Sequence, residues 1–352
     1  ICLSKRIIRN AAIVITLIIF SMGIAYYIYR YNIDKSWDEY WQRSRTDAVG
    51  RPLSASKKTS LPLFQTIPSA LNLPSPHRVI SVHSSQATSW AGSGNPISYM
   101  DQNEINIMVQ RGVKELTGEL SSEAAWRKII PYQPGNSVAI KVNFNNVWGF
   151  AANPSMNAYP ALVNAVIDGL KSIGVPSEKI WITDPSRTAN DAFRNAITDK
   201  QVLYFTKYSA QQIGTKPNVF HTGYVQDGSI YSTQADRGDG VLQWINPAEV
   251  FVNANHIINI PQLKGHGGAS ITLGIKNHFG SVDFTEFASG QSPLHTYFYS
   301  GTAYPGKNLL VDISDNPVFR DKTRLIIGDG LMGHPRSNYT DPVLWKAFGN
   351  NP

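Results

Sequence analysis

The stretch "PGNSVAIKVNFN" (residues 134–145), followed by "YPALVNAVIDGLKSIGVPSEKIWITD" (residues 159–184), decides the fold class of this chain. A Pro-Gly turn comes first, and the apolar run at 138–144 is typical of a buried strand. In the second stretch the apolar residues repeat at helical spacing up to a glycine, and the run at 178–184 then predicts another strand. Two buried strands joined through a helix form a crossover unit, which pairs its strands in parallel. We therefore expect a mostly parallel sheet covered by helices.

The same pattern continues on both sides of this unit. The segment "RVISVHS" (residues 78–84) predicts an earlier strand, Asp101 is a predicted helix N-cap, and "SSEAAWRKII" (residues 121–130) predicts a second helix. Two later segments, "HIINIPQLK" (residues 256–264) and "TRLIIGDG" (residues 323–330), predict further strands. Strands that alternate with helices indicate an α/β fold class with Rossmann-like layers.

The N-terminal stretch "AAIVITLIIFSMGIAYYIY" (residues 11–29) carries no charge. As a helix it would be about 28 Å long, close to the hydrocarbon thickness of a bilayer. Residues 1–60 hold ten Lys/Arg and four Asp/Glu, whereas the 22 basic and 21 acidic residues of the remainder nearly balance. A basic excess beside an apolar segment indicates a lipid bilayer rather than nucleic acid as the partner. A cleaved signal peptide is the alternative, but the run is long for one.

These features predict three parts. Residues 1–31 form a single-pass transmembrane anchor, and the positive charges before it predict a cytoplasmic N-terminus. Residues 32–76, rich in Ser, Pro and charged residues, form an extracytoplasmic linker or stalk. Residues 77–352 form the α/β domain, which is expected to be periplasmic or at the cell surface.

The chain has one cysteine, Cys2. Disulfides within the chain are therefore excluded, and so are cysteine-ligated iron–sulfur clusters and Cys-type zinc sites built from this chain alone. The sequence leaves any other cofactor open.

Several polar residues follow the predicted strands directly. In parallel sheets, ligands gather at the carboxyl ends of the strands, so we expect these side chains to converge. A lysine inside an apolar strand needs a partner because lysine is almost never buried alone, and Asp184 is the candidate partner of Lys141. The strand-end residues are Lys141, Asn143, Asp184, Lys264, His266 and Asp329.

The segment "QLKGHGGASITLGIKNHFG" (residues 262–280) combines glycines, lysines and histidines. A glycine-rich turn after a strand can present backbone N–H groups to an anion, although it can also be a plain turn. His266 is a candidate metal ligand or acid–base group. The part from Ser270 onward fits a strand by alternation and a helix by the spacing of Thr272 and Lys276. The candidate ligand-binding residues here are Lys264, Gly265, Gly267, Gly268, Thr272 and Asn277.

Taken together, these segments resemble the family catalogued as domain of unknown function 362, from about residue 77 to the C-terminus. The family pattern is a strand ending in Ile-Lys-x-Asn, a strand ending in Asp, and a Lys-x-His…Thr-x-x-x-Lys-Asn-x-x-Gly segment. Many relatives carry a ferredoxin-like cluster module with its cysteines, which this chain lacks, and the family continues further at the C-terminus. We therefore expect the domain to be incomplete there. The matching residues are Ile140, Lys141, Asn143, Asp184, Lys264, His266, Thr272, Lys276, Asn277 and Gly280.

Two functional hypotheses follow. In the first, a membrane-anchored extracytoplasmic domain binds an anionic ligand or a metal ion. His266, Lys276 and Lys141 are then the candidate catalytic groups, and the metal ligands would be Asp184, Asp329 and His266. In the second, the protein is a non-catalytic accessory or scaffold subunit of a larger membrane complex. The sequence does not decide whether the protein is an enzyme.

Overall fold

The computed structural model describes residues 78–144, 157–207, 216–236, 242–266, 270–283 and 309–334. The predicted anchor and stalk, and with them the assignment of residues 1–76, lie outside these ranges. Within the ranges, no helix combines the length and the apolar character needed to cross a membrane.

The described residues contain eleven strands and eight α-helices. The strands are β1 (Val138–Lys141), β2 (Ile180–Asp184), β3 (Leu203–Thr206), β4 (Val219–His221), β5 (Thr233–Asp236), β6 (Leu242–Ile245), β7 (His256–Asn259), β8 (Gln262–His266), β9 (Ser270–Thr272), β10 (Thr323–Ile326) and β11 (Asp329–His334). The helices are α1 (Gln102–Thr117), α2 (Ser122–Ile129), α3 (Pro160–Ser172), α4 (Asp191–Ala196), α5 (Glu249–Asn253), α6 (Gly274–Asn277), α7 (Leu309–Asp315) and α8 (Pro317–Arg320).

The main sheet has six parallel strands in the order β10-β7-β1-β2-β3-β4, which confirms the predicted mostly parallel sheet. The chain enters at β1, moves through β2 and β3 to β4, and later returns to place β7 on the other side of β1. The strand order therefore reverses between β1 and β7. In open α/β sheets, ligands bind at the carboxyl ends of the strands beside such a reversal.

Two smaller sheets complete the strand pairing. β8 pairs in parallel with β11 and antiparallel with β9, while β5 and β6 form an antiparallel pair. The pair β8–β11 continues the pair β7–β10 after a short break, because Ile327 and Asp329 donate backbone hydrogen bonds to Asn259 and Pro261. The β8–β9 hairpin is thereby placed next to the carboxyl ends of β7 and β10.

The helices cover both faces of the main sheet, as the alternation of side chains along a strand requires. Ile140 of β1 belongs to a core cluster that includes residues of α1, α2 and α3. Its neighbour Ala139 belongs to a second cluster with Phe251 of α5 and Phe319 of α8. The predicted caps of α1 and α2 are present, since the Asp101 side chain accepts from the backbone N–H of Glu104 and Ser121 caps α2.

The prediction of a strand at 78–84 is wrong. These residues form no strand, and Val79 is 89% exposed. Alternating β-branched residues make a strand only where a neighbouring strand can pair with them. The predicted strands at 256–264 and 323–330 each divide into two, and β1 ends at Lys141 rather than at residue 144. The segment from Ser270 is both a strand and a helix, β9 followed by α6.

The packing of α2 against α3 depends on a glycine and gives a first prediction. A Cβ at Gly169 would lie 2.1 Å from Trp126 Cε2, and the indole cannot move aside easily because it is fully buried and donates to Gln110. We expect Gly169→Ala to lower the free energy of unfolding by about 1–3 kcal/mol. In the matched control Gly112→Ala, the atom nearest to the added Cβ is Val82 Cγ2 at 3.4 Å. This substitution is therefore expected to raise the free energy of unfolding by about 0.5–1 kcal/mol. Urea unfolding of both variants measures the difference, and equal midpoints would contradict this packing.

Candidate functional site

The carboxyl ends of β1 and β2 bring together a buried lysine and a buried carboxylate. Lys141 and Asp184 are 1% and 2% exposed, and Nζ lies 3.4 Å from Oδ2. The ammonium also donates to the carbonyl of Val142 at 2.6 Å and to Asn277 Oδ1 at 3.3 Å. The same Asp184 oxygen accepts from the backbone N–H of Phe144 at 2.9 Å. The expected pairing of Lys141 with Asp184 is thus present in the structure.

The other oxygen of Asp184 is held by the turn that follows β2. Ser186 donates to Oδ1 through its hydroxyl at 2.9 Å and its backbone N–H at 3.3 Å. Gly280 closes on this turn so tightly that a Cβ there would lie 2.8 Å from Ser186 Oγ and 3.3 Å from Asp184 Oδ1. The glycine therefore lets the backbone approach the carboxylate more closely than any other residue could.

A chain of buried amides fixes α6 against the main sheet. Asn143 donates to Asn277 Oδ1 at 3.1 Å, and Asn277 donates in turn to Asn259 Oδ1 at 2.7 Å. Asn259, which lies opposite Lys141 in the register of β1 and β7, donates to the carbonyl of Gly274 at 2.9 Å. The predicted ligand-binding amides Asn143 and Asn277, together with Asn259, therefore hold the single turn of α6 in place beside Lys141.

Two further lysines enter the same region from β8 and α6. Lys264 is 3% exposed and lies opposite Thr272 in the β8–β9 hairpin. Lys276 is half-buried, and its ammonium lies 4.2 Å from the centre of the Phe279 ring. Within the described ranges, Lys276 Nζ makes no hydrogen bond and no ion pair. Its charge is therefore not matched by a nearby acceptor there.

The charges of these residues act on one another. Burial, with smaller contributions from Lys276 and Arg187, lowers the pKa of Lys264 from 10.5 to about 7. Burial, with contributions from Lys141 and Arg187, lowers the pKa of Lys276 to about 8. Burial also lowers the pKa of Lys141, and Asp184 opposes the shift in all three cases. Each shift reflects the cost of placing several cations out of water around one carboxylate.

Two members of this region, Arg187 and Tyr224, were not predicted from the sequence. Arg187 follows β2 in the turn that binds Asp184, and it donates one side-chain hydrogen bond, to the carbonyl of Ser186 at 2.8 Å. Burial, and then the charges of Asp283 and Asp184, raise the pKa of Tyr224. Arg187 follows a predicted strand end by three residues, so the same rule that singled out Asp184 could have found it. No sequence signal places Tyr224 here.

We call the four basic residues around Asp184 the basic cluster; it consists of Lys141, Lys264, Lys276 and Arg187. The hydroxyl of Thr272 adds a polar atom beside it, because Oγ1 is buried and has no hydrogen-bond partner among the residues described. A buried excess of positive charge is unfavourable, and it is relieved either by loss of protons, which the lowered pKa values of the lysines favour, or by an anion. The arrangement can therefore bind an anionic group.

Asp329 lies apart from the basic cluster in its contacts. It is fully buried, and its oxygens accept from the backbone N–H groups of Tyr159, at the start of α3, and Leu331. Burial raises the pKa of this carboxyl from 3.8 to about 7, against the effect of the two N–H donors. The described residues include no group of three or more His, Cys, Asp or Glu side chains that could hold a metal ion.

The glycine-rich turn is only partly described. Gly265 lies in β8 opposite Ile271, and His266 ends the strand. The side chain of His266, together with Gly267 and Gly268, lies outside the described residues. The hypothesis of a metal site at Asp184, Asp329 and His266 therefore stays a prediction, as does the catalytic role of His266.

Fold and site define an α/β domain with a doubly wound parallel sheet and a buried basic cluster near the point where the strand order reverses. The chain belongs to the family described as domain of unknown function (DUF362), whose sequence model matches residues 138–338, more than half of the chain.

A crystal structure of a Thermotoga maritima protein from the Northeast Structural Genomics Consortium is similar with a TM-score of 0.31 and 10% sequence identity. The match covers 62% of this chain and 48% of that protein, so it spans about half of the length of the Thermotoga chain. Among curated proteins, no match to this chain was found.

Proposed function

We propose that the domain binds an anionic ligand at the basic cluster. The observation that carries this proposal is Lys276, whose ammonium lies among other cations without an acceptor in the described residues. An ammonium that is partly removed from water and lies among other positive charges is stabilised by a counter-charge. A ligand carboxylate or phosphate would provide that counter-charge and form charge-assisted hydrogen bonds with Lys276 and Arg187.

The contacts of the individual residues support different roles for them within the basic cluster. Lys141 is already paired with Asp184, and its hydrogen bonds to Val142 and Asn277 keep it in place. It therefore supplies a fixed positive charge, whereas Lys276 and Arg187 retain N–H donors that meet no acceptor among the described residues. Because the pKa values of Lys264 and Lys276 are about 7 and about 8, anion binding should weaken as the pH rises through this range and the ammonium forms are lost.

The second prediction tests this binding. We expect Lys276→Met to weaken the binding of inorganic phosphate, sulfate or citrate by about 10- to 100-fold, because the loss of one charge-assisted hydrogen bond costs about 1.5–3 kcal/mol. Isothermal titration of the full chain in mild detergent measures the affinity. Lys128→Met is the matched control, since it removes the same charge from an exposed ion pair with Glu119. Unchanged binding in both Lys276→Met and Lys141→Met would refute the proposal.

The location and the partners of the domain also remain proposals. Residues 11–29 would anchor the protein in a bilayer, with the α/β domain on the extracytoplasmic side. The alternative role as an accessory subunit is favoured by four exposed apolar side chains near the β8–β9 hairpin, where Ile326 packs closely against Gly274. These side chains are Ile271, Leu273, Ile275 and Ile326. Co-purification with other membrane subunits at a fixed ratio would support this role, and a monodisperse monomer would oppose it.

A further inference from the structure

We propose that Lys276 is an amine nucleophile and that the ligand of the basic cluster is an anion carrying a carbonyl group, with which Lys276 forms an imine. The proposal rests on the proposed anion binding and adds a covalent step to it. A 2-oxo acid or a phosphorylated aldehyde has the required chemistry, because each joins an electrophilic carbonyl carbon to a negative group.

The position of Lys276 sets it apart from the other two lysines. Lys141 is tied to Asp184 and to two further acceptors, so its nitrogen is already engaged. Lys264 is 3% exposed and lies inside the hairpin opposite Thr272, where a diffusing ligand cannot easily reach it. Lys276 is half-buried and its nitrogen has no acceptor within the described parts of the chain. It is therefore the lysine that combines access with an uncommitted nitrogen.

The surroundings of Lys276 favour the neutral amine, which is the nucleophilic form. The charges of Lys141 and Arg187 oppose a further positive charge on Lys276, whereas the Asp184 carboxylate and the face of the Phe279 ring favour it. Burial and these two cations lower the pKa of Lys276 to about 8. Lysines that form imines are activated in this way, by desolvation or by a neighbouring cation. The same cations would hold the negative group of the ligand beside the amine.

The covalent step balances without another reactant. The lone pair of the neutral Lys276 nitrogen attacks the carbonyl carbon and forms a C–N bond, which converts the carbonyl oxygen into a hydroxyl group. That oxygen then leaves as water, carrying both protons of the original amine, and a C=N bond replaces the C=O bond. No electron acceptor or donor is needed, and water reverses the reaction.

The test is reductive trapping on the full chain. The protein is incubated at pH 8 with glyoxylate, pyruvate or glyceraldehyde 3-phosphate in the presence of sodium cyanoborohydride, and intact mass and peptide mapping locate the reduced adduct. We expect one adduct at Lys276, formed at least roughly tenfold faster than adducts at exposed lysines, because a larger fraction of this amine is neutral. Inorganic phosphate should slow the labelling by competing for the basic cluster.

The control variants separate this proposal from the one on which it rests. Lys276→Arg cannot form the imine, so it should lose the adduct, whereas Lys128→Arg should leave both phosphate binding and the adduct at Lys276 unchanged. Phosphate binding without a preferred adduct at Lys276 for any of the three carbonyl compounds would overturn the imine and leave anion binding intact. Absence of phosphate binding, with labelling spread evenly over surface lysines, would overturn both.

Discussion

Replacing Asp184 with asparagine should lower the free energy of unfolding by about 3–5 kcal/mol, because it removes one partner of a buried ion pair and leaves the other charged. Asparagine has the same size and keeps an oxygen that can accept from the N–H of Phe144. The decrease in the free energy of unfolding is therefore due mainly to the lost negative charge. Lys141 would retain its hydrogen bonds to Val142 and Asn277 but would face three other cations without a carboxylate. Urea unfolding of the parent and the variant measures the effect.

The effect of this substitution should depend on pH in a defined direction. Burial lowers the pKa of Lys141 below 10.5 in the folded protein, and without Asp184 it should fall further. The unfolded chain then binds more protons than the folded one over a wider range below pH 10.5, so the stability of the variant rises with pH in that range. The loss caused by Asp184→Asn should therefore be larger at pH 6 than at pH 10.

A double variant distinguishes a charge effect from a packing effect. In Asp184→Asn combined with Lys141→Met, the uncompensated lysine is gone, and we expect part of the lost stability to return, since a buried pair replaced on both sides is often nearly neutral. If Asp184→Asn alone unfolded at the parent's urea concentration, Lys141 would already be neutral in the folded protein. The assignment of Lys141 and Asp184 as an ion pair would then be wrong.

The central crossover unit was predictable because its local signals agree with its environment. The strand β1, the helix α3 and the strand β2 each carry a strong apolar pattern, and α3 and β2 are followed by a glycine and a turn, respectively. Burial on both faces of a parallel sheet produces such strands, so local sequence and tertiary position indicate the same structure. At residues 78–84 the apolar alternation is similar, but no strand pairs with it. Strand pairing depends on the whole fold and cannot be recognised from seven residues alone.

The grouping of the candidate-site residues was predictable where it depends on strand ends and not where it depends on the path of a turn. The rule for parallel sheets indicated Lys141, Asp184 and Lys264, and the structure brings their charges together. Arg187 reaches them only because the turn after β2 wraps around the Asp184 carboxylate. Asp329 also follows a strand, yet its oxygens accept from the backbone N–H groups of Tyr159, at the start of α3, and Leu331, in β11, and not from a lysine. The sequence contains no information on which donors a strand-end carboxylate will meet.

Replacing Asp329 with asparagine should change the pH dependence of stability more than any other single substitution of a carboxylate in the described residues. Burial raises the pKa of Asp329 from 3.8 to about 7, so between these values the folded protein binds a proton that the unfolded chain has released. For an acid with a raised pKa, stability is highest at low pH and falls as the pH rises through this window, by up to about 1.4 kcal/mol per pH unit. Above pH 7 the folded protein carries the whole cost of a buried carboxylate, which we place at about 2–4 kcal/mol.

Asparagine at this position removes the ionisation but keeps an oxygen for the N–H of Tyr159 at the start of α3. We therefore expect Asp329→Asn to be more stable than the parent at pH 8 and equally or less stable at pH 4. Between these values its free energy of unfolding should change little with pH. Urea midpoints at several pH values measure the two profiles, and Asp168→Asn, at an exposed position of α3, is the matched control that should keep the parent's slope. The opposite result would be that the stability of the parent rises from pH 5 to pH 7 and that Asp168→Asn and Asp329→Asn follow the same curve. Asp329 would then be ionised throughout this range. The N–H of Tyr159 and of Leu331 would then outweigh burial, and this carboxylate would stabilise the start of α3 as an anion.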